Sequence, residues 1–324
     1  MTRIRRALVA AAAMAVCLTG AAQAQDFPNR TITIVAGGAA GGPTDIVGRI
    51  IAEGMGRQLP QSVVVENTPP ANVGAQRVAQ ARPDGYTLLI TNVGLAAGAT
   101  LFRRLAYDTA ADFAPLGLVS DAAMTIIARP DYPAENLAAL LETVRGRQEA
   151  LNLGTAGLAS AANLCGLLLQ QAAGGRMTVV AFRGTAPAIT ELMAGRLDIL
   201  CDQATNTGPF IHDRRVRAYA VTSPQRLPSM PDLPTTAEAG SPALAMSTWH
   251  GLYAPAGTPE AIQQRISAAL QAALRDERVR ARFAELATDP ATPERATIAF
   301  HRRFHQEEIA RWRPIIQAAG AYAD

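Results

Sequence analysis

Two loops of very small residues are where the backbone of this 324-residue chain could do chemistry. The first, Gly37-Gly38-Ala39-Ala40-Gly41-Gly42-Pro43-Thr44-Asp45, follows the β-branched run Ile32–Ala36. The second is Gly154-Thr155-Ala156-Gly157-Leu158-Ala159-Ser160. Each leads into a helical pattern. Strand, Gly-rich loop and helix in that order aim free backbone N–H groups at an anion, and small side chains let a ligand touch the backbone. Phosphate fits poorly. A Walker A loop needs Lys after its last Gly, but Pro43-Thr44 follow Gly42 and the chain contains no Lys. A dinucleotide fingerprint needs a G-x-G-x-x-G spacing that these glycines lack. A carboxylate remains, since it needs only a helix N-terminus and one or two donors. On these residues alone, a tight turn that binds nothing stays open.

Two such loops facing each other would hold both ends of a dicarboxylate. The candidate contacts are Ala39, Ala40, Gly41, Gly42, Thr44 and Asp45 in the first, and Thr155, Ala156, Gly157 and Ser160 in the second. Thr91, Thr185 and Thr205 add hydroxyls. Arg183, beside Gly184, is either a charge partner for the ligand or a surface Arg at a turn. Asp202-Gln203 end a strand where open α/β sheets place ligands. Asp202 would repel an anion, so it is expected to cap a loop or act through water.

Catalytic constellations are missing. There is no G-x-S-x-G elbow, and Ser160 is not part of one. The histidines are His212, His250, His301 and His305. The last two have i, i+4 spacing, but Arg302-Arg303 between them break the zinc-protease pattern; they read as a solvated helix face, as do Glu307 and Glu308. No Cys/His cluster has metal spacing. The reading is a non-enzyme without cofactor or metal.

Short apolar runs that alternate with helical patterns must position these loops. The runs are 32–36, 63–66, 87–91, 124–129, 152–154, 179–181, 199–201, 218–222 and 252–254. The helices are 45–59, 72–81, 136–147, 160–173, 187–194 and 208–213. This alternation predicts βαβ units and parallel sheets. Three helices end the chain: one opened by Thr258-Pro259-Glu260 with Thr258 as N-cap, one after Asp276, and one from Pro293 to about Ala319. In the last, Ile298, Phe304, Ile309, Trp312 and Ile316 form a core stripe.

Residues 1–24 read as a secretory signal: Arg3, Arg5 and Arg6, an apolar stretch, then Ala22-Gln23-Ala24 before Gln25. Removing it takes three of the 30 basic residues and none of the 27 acids, leaving 27 of each. A neutral mature chain gives no reason to expect nucleic acid or an anionic membrane as partner. Cys165 and Cys201 remain. In an oxidising compartment they either pair or stay as buried thiols, and pairing is favoured.

These residues, taken together, match a family. The chain resembles the substrate-binding proteins of tripartite tricarboxylate transporters, also called Bug proteins. The matching pieces run in order from Phe27-Pro28-Asn29-Arg30 through Ala39–Asp45, Val63–Asn67, Pro83–Leu89, Gly154–Gly157, Arg183–Ala188 and Ala220–Ser223 to Gly251–Pro259. The resemblance implies an α/β, periplasmic-binding-protein type II-like fold: two α/β domains, a ligand cleft between them and a C-terminal helical segment. Domain I would be residues 26–122 plus 250–324, and domain II residues 123–249. It also implies a periplasmic, monomeric receptor that holds an organic carboxylate, a dicarboxylate in particular and aromatic ones included, and passes it to membrane transport subunits. An extracytoplasmic sensor for a membrane signalling partner would share this sequence, and a secreted hydrolase is the third reading. Phe182 stands where the family usually has Tyr, and Gly37-Gly38 where it usually has Pro-Phe.

Overall fold

In the computed structural model, which describes residues 27–323, these runs and patterns build two parallel β-wings joined through antiparallel strands. The first part of the chain forms β1 (Ile32–Ala36), α1 (Pro43–Gly56), β2 (Val63–Asn67), α2 (Ala71–Ala79), β3 (Thr87–Asn92), α3 (Gly94–Leu101) and β4 (Phe113–Ala128). The second wing follows: α4 (Leu137–Arg147), β5 (Asn152–Thr155), α5 (Ala161–Ala173), β6 (Thr178–Ala181), α6 (Thr185–Met193), β7 (Ile199–Gln203), α7 (Ala204–His212) and β8 (Arg217–Val221). The chain then returns through β9 (Ser247–Pro255), α8 (Glu260–Arg275), α9 (Glu277–Glu285), β10 (Thr288–Pro290) and α10 (Ile298–Ala319). The leader assigned to residues 1–24 and its cleavage before Gln25 lie outside the described residues.

The sheet order is β2-β1-β3-β9-β4-β7-β5-β6. Pairing is parallel for β1 with β2 and β3, and for β5 with β6 and β7. β9 and β4 run antiparallel between the wings. β4 belongs to both: Phe113–Ala123 pair with β9, and Met124–Ala128 pair with β7 and β8. The sequence indicated only the second part of β4, because Pro115 and Gly117 interrupt the first. Both lie at a register shift of the β4–β9 ladder, where a bulge tolerates them. Gly117 is required there: a Cβ would sit 2.4 Å from the Ala296 carbonyl oxygen. Helix α3 was also not indicated. It carries two glycines and is buried on nearly every side, so no polar face marks it.

The C-terminal helices pack on the first wing and across the junction. Three expectations are corrected here. His301 and His305 are not on a solvated face but fully or almost fully buried. The His301 Nδ1 accepts the Gly117 N–H, and His305 bridges the Tyr253 hydroxyl and the Thr109 carbonyl. Burial lowers both imidazoles, His301 well below its usual range. Glu308 is buried as well, accepting from the indole N–H groups of Trp249 at 2.9 Å and Trp312 at 3.2 Å, whereas Glu307 is exposed. Thr258 is not an N-cap: Pro259 holds that position, and the Thr258 hydroxyl donates to the Pro255 carbonyl. In the second wing, Cys165 of α5 and Cys201 of β7 are joined by a disulfide, with Cα atoms 5.9 Å apart.

Candidate functional site

The wings enclose a cavity of about 660 Å³. Five helices begin at its wall: α1 at Gly42-Pro43-Thr44, α2 at Pro70-Ala71-Asn72, α5 at Ser160-Ala161-Ala162, α6 at Gly184-Thr185 and α7 after Gln203. The parallel topology causes this convergence, because every βα turn opens at the carboxyl end of its strand. Only α5 has a side-chain cap, Ser160, whose Oγ accepts the Asn163 N–H and donates to the Gly157 carbonyl. The other four start without one. Their first-turn N–H groups therefore present the positive ends of helix dipoles to the cavity.

The structure brings Ala39, Gly42, Thr44, Thr91, Ala156, Gly157, Ser160, Arg183, Gly184, Thr185, Asp202 and Gln203 to this wall. The other sequence candidates lie off it. Ala40 and Gly41 are exposed, and the Gly41 N–H donates to Asp45 at 2.8 Å. Asp45 thus closes its own loop. Burial acts to raise its carboxyl, but the Gly41 N–H and Arg49 outweigh that and hold it below the usual value. The Thr155 hydroxyl accepts the Gly157 N–H, and the Thr205 hydroxyl meets that of Thr288 at 2.8 Å.

The cavity also has walls that sequence reasoning did not name as site residues: Pro69-Pro70 with Asn72, Asn92, Phe102, and Leu158 with Ala159. Asn92 follows Thr91 at the carboxyl end of β3, and that position was the available signal. Its amide approaches the Thr44 hydroxyl at 3.4 Å and its oxygen accepts the Gly94 N–H. Phe182 also lines the cavity, so the walls are mostly apolar. Gly37 is small for a packing reason: a Cβ there would sit 3.0 Å from the Ala71 Cα.

Asp202 is buried at the end of β7. Its carboxylate accepts the Thr185 hydroxyl at 2.9 Å and the Gln203 N–H at 2.7 Å. Burial pushes it up to about 6 despite these two donors. Ser120 and His250 are hydrogen-bonded at 3.0 Å, but both are fully buried at the β4–β9 junction and do not line the cavity. Among the described residues, no group of three His, Cys, Asp or Glu could hold a metal, and no helix is long and apolar enough to cross a membrane.

Two α/β wings around a cleft, with helix N-termini converging on it, define a periplasmic binding protein of the flytrap type. The chain belongs to the tripartite tricarboxylate transporter family receptors, whose family model matches residues 47–321. An Agrobacterium vitis protein, described as the UPF0065 protein in the TAR-I ttuE-ttuC' intergenic region, is 40% identical over 323 residues, 99% of this chain and 93% of that one. The structure of the periplasmic binding protein BugD superposes with a TM-score of 0.86 at 37% identity, covering 92% of this chain and all of that one. MatC from Rhodopseudomonas palustris, solved with bound malate, gives a TM-score of 0.85 at 37% identity, covering 90% of this chain and all of that one.

Proposed function

We propose that this chain is an exported receptor that captures an organic carboxylate, dicarboxylates foremost and aromatic ones included, and passes it to the membrane subunits of a tripartite tricarboxylate transporter. The observation that carries the reading is the convergence of five helix N-termini, four of them without a side-chain cap, on one mostly apolar cavity. Backbone donors there recognise a carboxylate without a metal, and the apolar walls leave room for a carbon skeleton. Arg183, exposed at the rim, supplies a cation for a second carboxylate. The malate in MatC supports the ligand class.

In this reading residues 26–122 with 250–324 and residues 123–249 close on the ligand as two bodies, hinged where β4 changes partners and where β9 crosses back. Residues 1–24 are removed on export. The chemistry ends at binding, so the protein is not an enzyme.

The test is a thermal-shift panel of mono-, di- and tricarboxylates and amino acids on the purified protein. A ligand at 100 times its Kd adds about 2.7 kcal/mol of stability. A clear shift with a carboxylate supports the reading. No shift with any, from protein whose cleft is shown empty by mass spectrometry after denaturation, overturns it.

A further inference from the structure

The wall of the cleft contains a carboxylate without a cation. Asp202 is 2% exposed, lines the cavity, and has Thr185 and Gln203 as the groups acting on it; no charged side chain is among them. Each carboxylate oxygen has two lone pairs, and each accepts only one hydrogen bond here, so acceptor capacity is left over. The next residue repeats the pattern. Gln203 is 4% exposed, lines the same cavity, and its amide oxygen accepts nothing. Buried acceptors left unfilled are costly, and a buried charge is ordinarily paired. The helix ends offer donors to the cavity; at Asp202-Gln203, beside the start of α7, it also holds acceptors, the Asp202 carboxylate foremost. A ligand made only of carboxylates and carbon would satisfy the donors and be repelled by the Asp202 charge.

Resting on the carboxylate-receptor reading above, we infer that Asp202 and Gln203 form a subsite for a hydrogen-bond donor carried on the ligand's skeleton, a hydroxyl or an ammonium. The receptor then selects hydroxy- or amino-dicarboxylates over plain diacids of the same length. A hydrogen bond to a charged acceptor supports a preference of roughly tenfold to a hundredfold. Both donors complete the same acceptors, but an ammonium also neutralises Asp202.

The experiment is titration calorimetry with matched sets: succinate, malate and aspartate; glutarate, 2-hydroxyglutarate and glutamate; terephthalate, 2-hydroxyterephthalate and 2-aminoterephthalate, whose aryl amine is a neutral donor, so that aspartate and glutamate test the ammonium. The expected result is that, within the set that binds, a donor-bearing member is at least tenfold tighter than the plain diacid. Gln203→Leu and Asp202→Asn then reduce that ratio, Asp202→Asn in part by strengthening the plain diacid, which no longer meets a repelling charge. Asp202→Asn, which removes charge and keeps shape, lowers an ammonium's advantage more than a hydroxyl's. Circular dichroism and the Tm of the unliganded variants confirm that they fold, and the wild-type ratios stand without them. A plain diacid that binds as tightly as its donor-bearing partners overturns this inference alone, as does an unchanged ratio in both folded variants. Binding of no member of any set overturns the dicarboxylate reading, and this inference with it.

Discussion

Gly94 and Ala159 meet across the cleft so closely that a Cβ on Gly94 would sit 1.9 Å from the Ala159 carbonyl oxygen. Gly94 opens α3 in the first wing, and Ala159 lies in the loop before α5 in the second. A second contact of this kind joins Gly184 to Ala39, where a Cβ on the glycine would lie 2.9 Å from the alanine's. These two points bring the wings into contact around the cavity.

Gly94→Ala is therefore expected to leave the fold of each wing intact and to hinder closure. The expected outcome is at least a tenfold loss of ligand affinity by calorimetry, with the unliganded Tm nearly unchanged. Gly98→Ala on the same helix is the control, because its nearest neighbour would be Phe102 at an ordinary 3.7 Å. Equal affinity for Gly94→Ala and wild type would show that closure does not depend on this contact.

Glu308 ties the last helix to the strand that crosses between the wings. One carboxylate oxygen accepts two indole N–H groups, from Trp249 and Trp312, and the other accepts Arg311 at 3.1 Å. Glu308→Ala strands both buried donors and leaves a void, at an expected cost of about 3 kcal/mol. Glu308→Gln keeps one carbonyl acceptor for the indoles and should cost roughly half as much. Urea denaturation measures both, and an alanine variant as stable as wild type would remove Glu308 from this role.

The alternation of strands and helices was legible because β-branched runs and helical spacing are local signals, and so were the two small-residue loops. What was not legible depended on tertiary contact. Spacing alone places His301, His305 and Glu308 beside Arg302 and Arg303 on a polar face; only the packing of Tyr253 and Trp249 from β9 shows that these polar groups face inward. The loops suggested two helix N-termini at a ligand, whereas five reach the cavity, since α2, α6 and α7 start on ordinary residues and are aimed by the parallel sheet. Asp45 stands off the cavity wall for a local reason: a carboxylate four residues after Gly41 can fold back on that N–H and consume the donor.

The Cys165–Cys201 disulfide spans 36 residues of the second wing. Restricting a loop of that length in the unfolded chain contributes at most about 4 kcal/mol. Cys165→Ala with Cys201→Ala, both buried positions, is expected to lower the Tm by something on the order of 10 °C or less. Wild type under reducing conditions should move the same way, and a Tm indifferent to both would mean that the bridge does not form in solution.

Asp202 is expected to make binding depend on pH, with a sign set by the ligand's charge. Burial raises its carboxyl from an ordinary 3.8 to about 6. Between those values the folded chain holds a proton that the unfolded chain has lost. Stability from this residue therefore falls as pH rises from about 4 to 6, and the penalty, roughly 3 kcal/mol, is complete above that window. Asp202→Asn should flatten that part of the stability profile. In binding, a plain dicarboxylate meets a repelling charge at pH 7.5 and a neutral acid at pH 5.5, so its affinity should increase on acidification, with proton uptake measurable by calorimetry in buffers of different ionisation enthalpy. An ammonium-bearing ligand loses its counter-charge over the same range and should weaken. Affinity that is flat between pH 5.5 and 7.5 for both kinds of ligand would mean that Asp202 does not face the bound molecule.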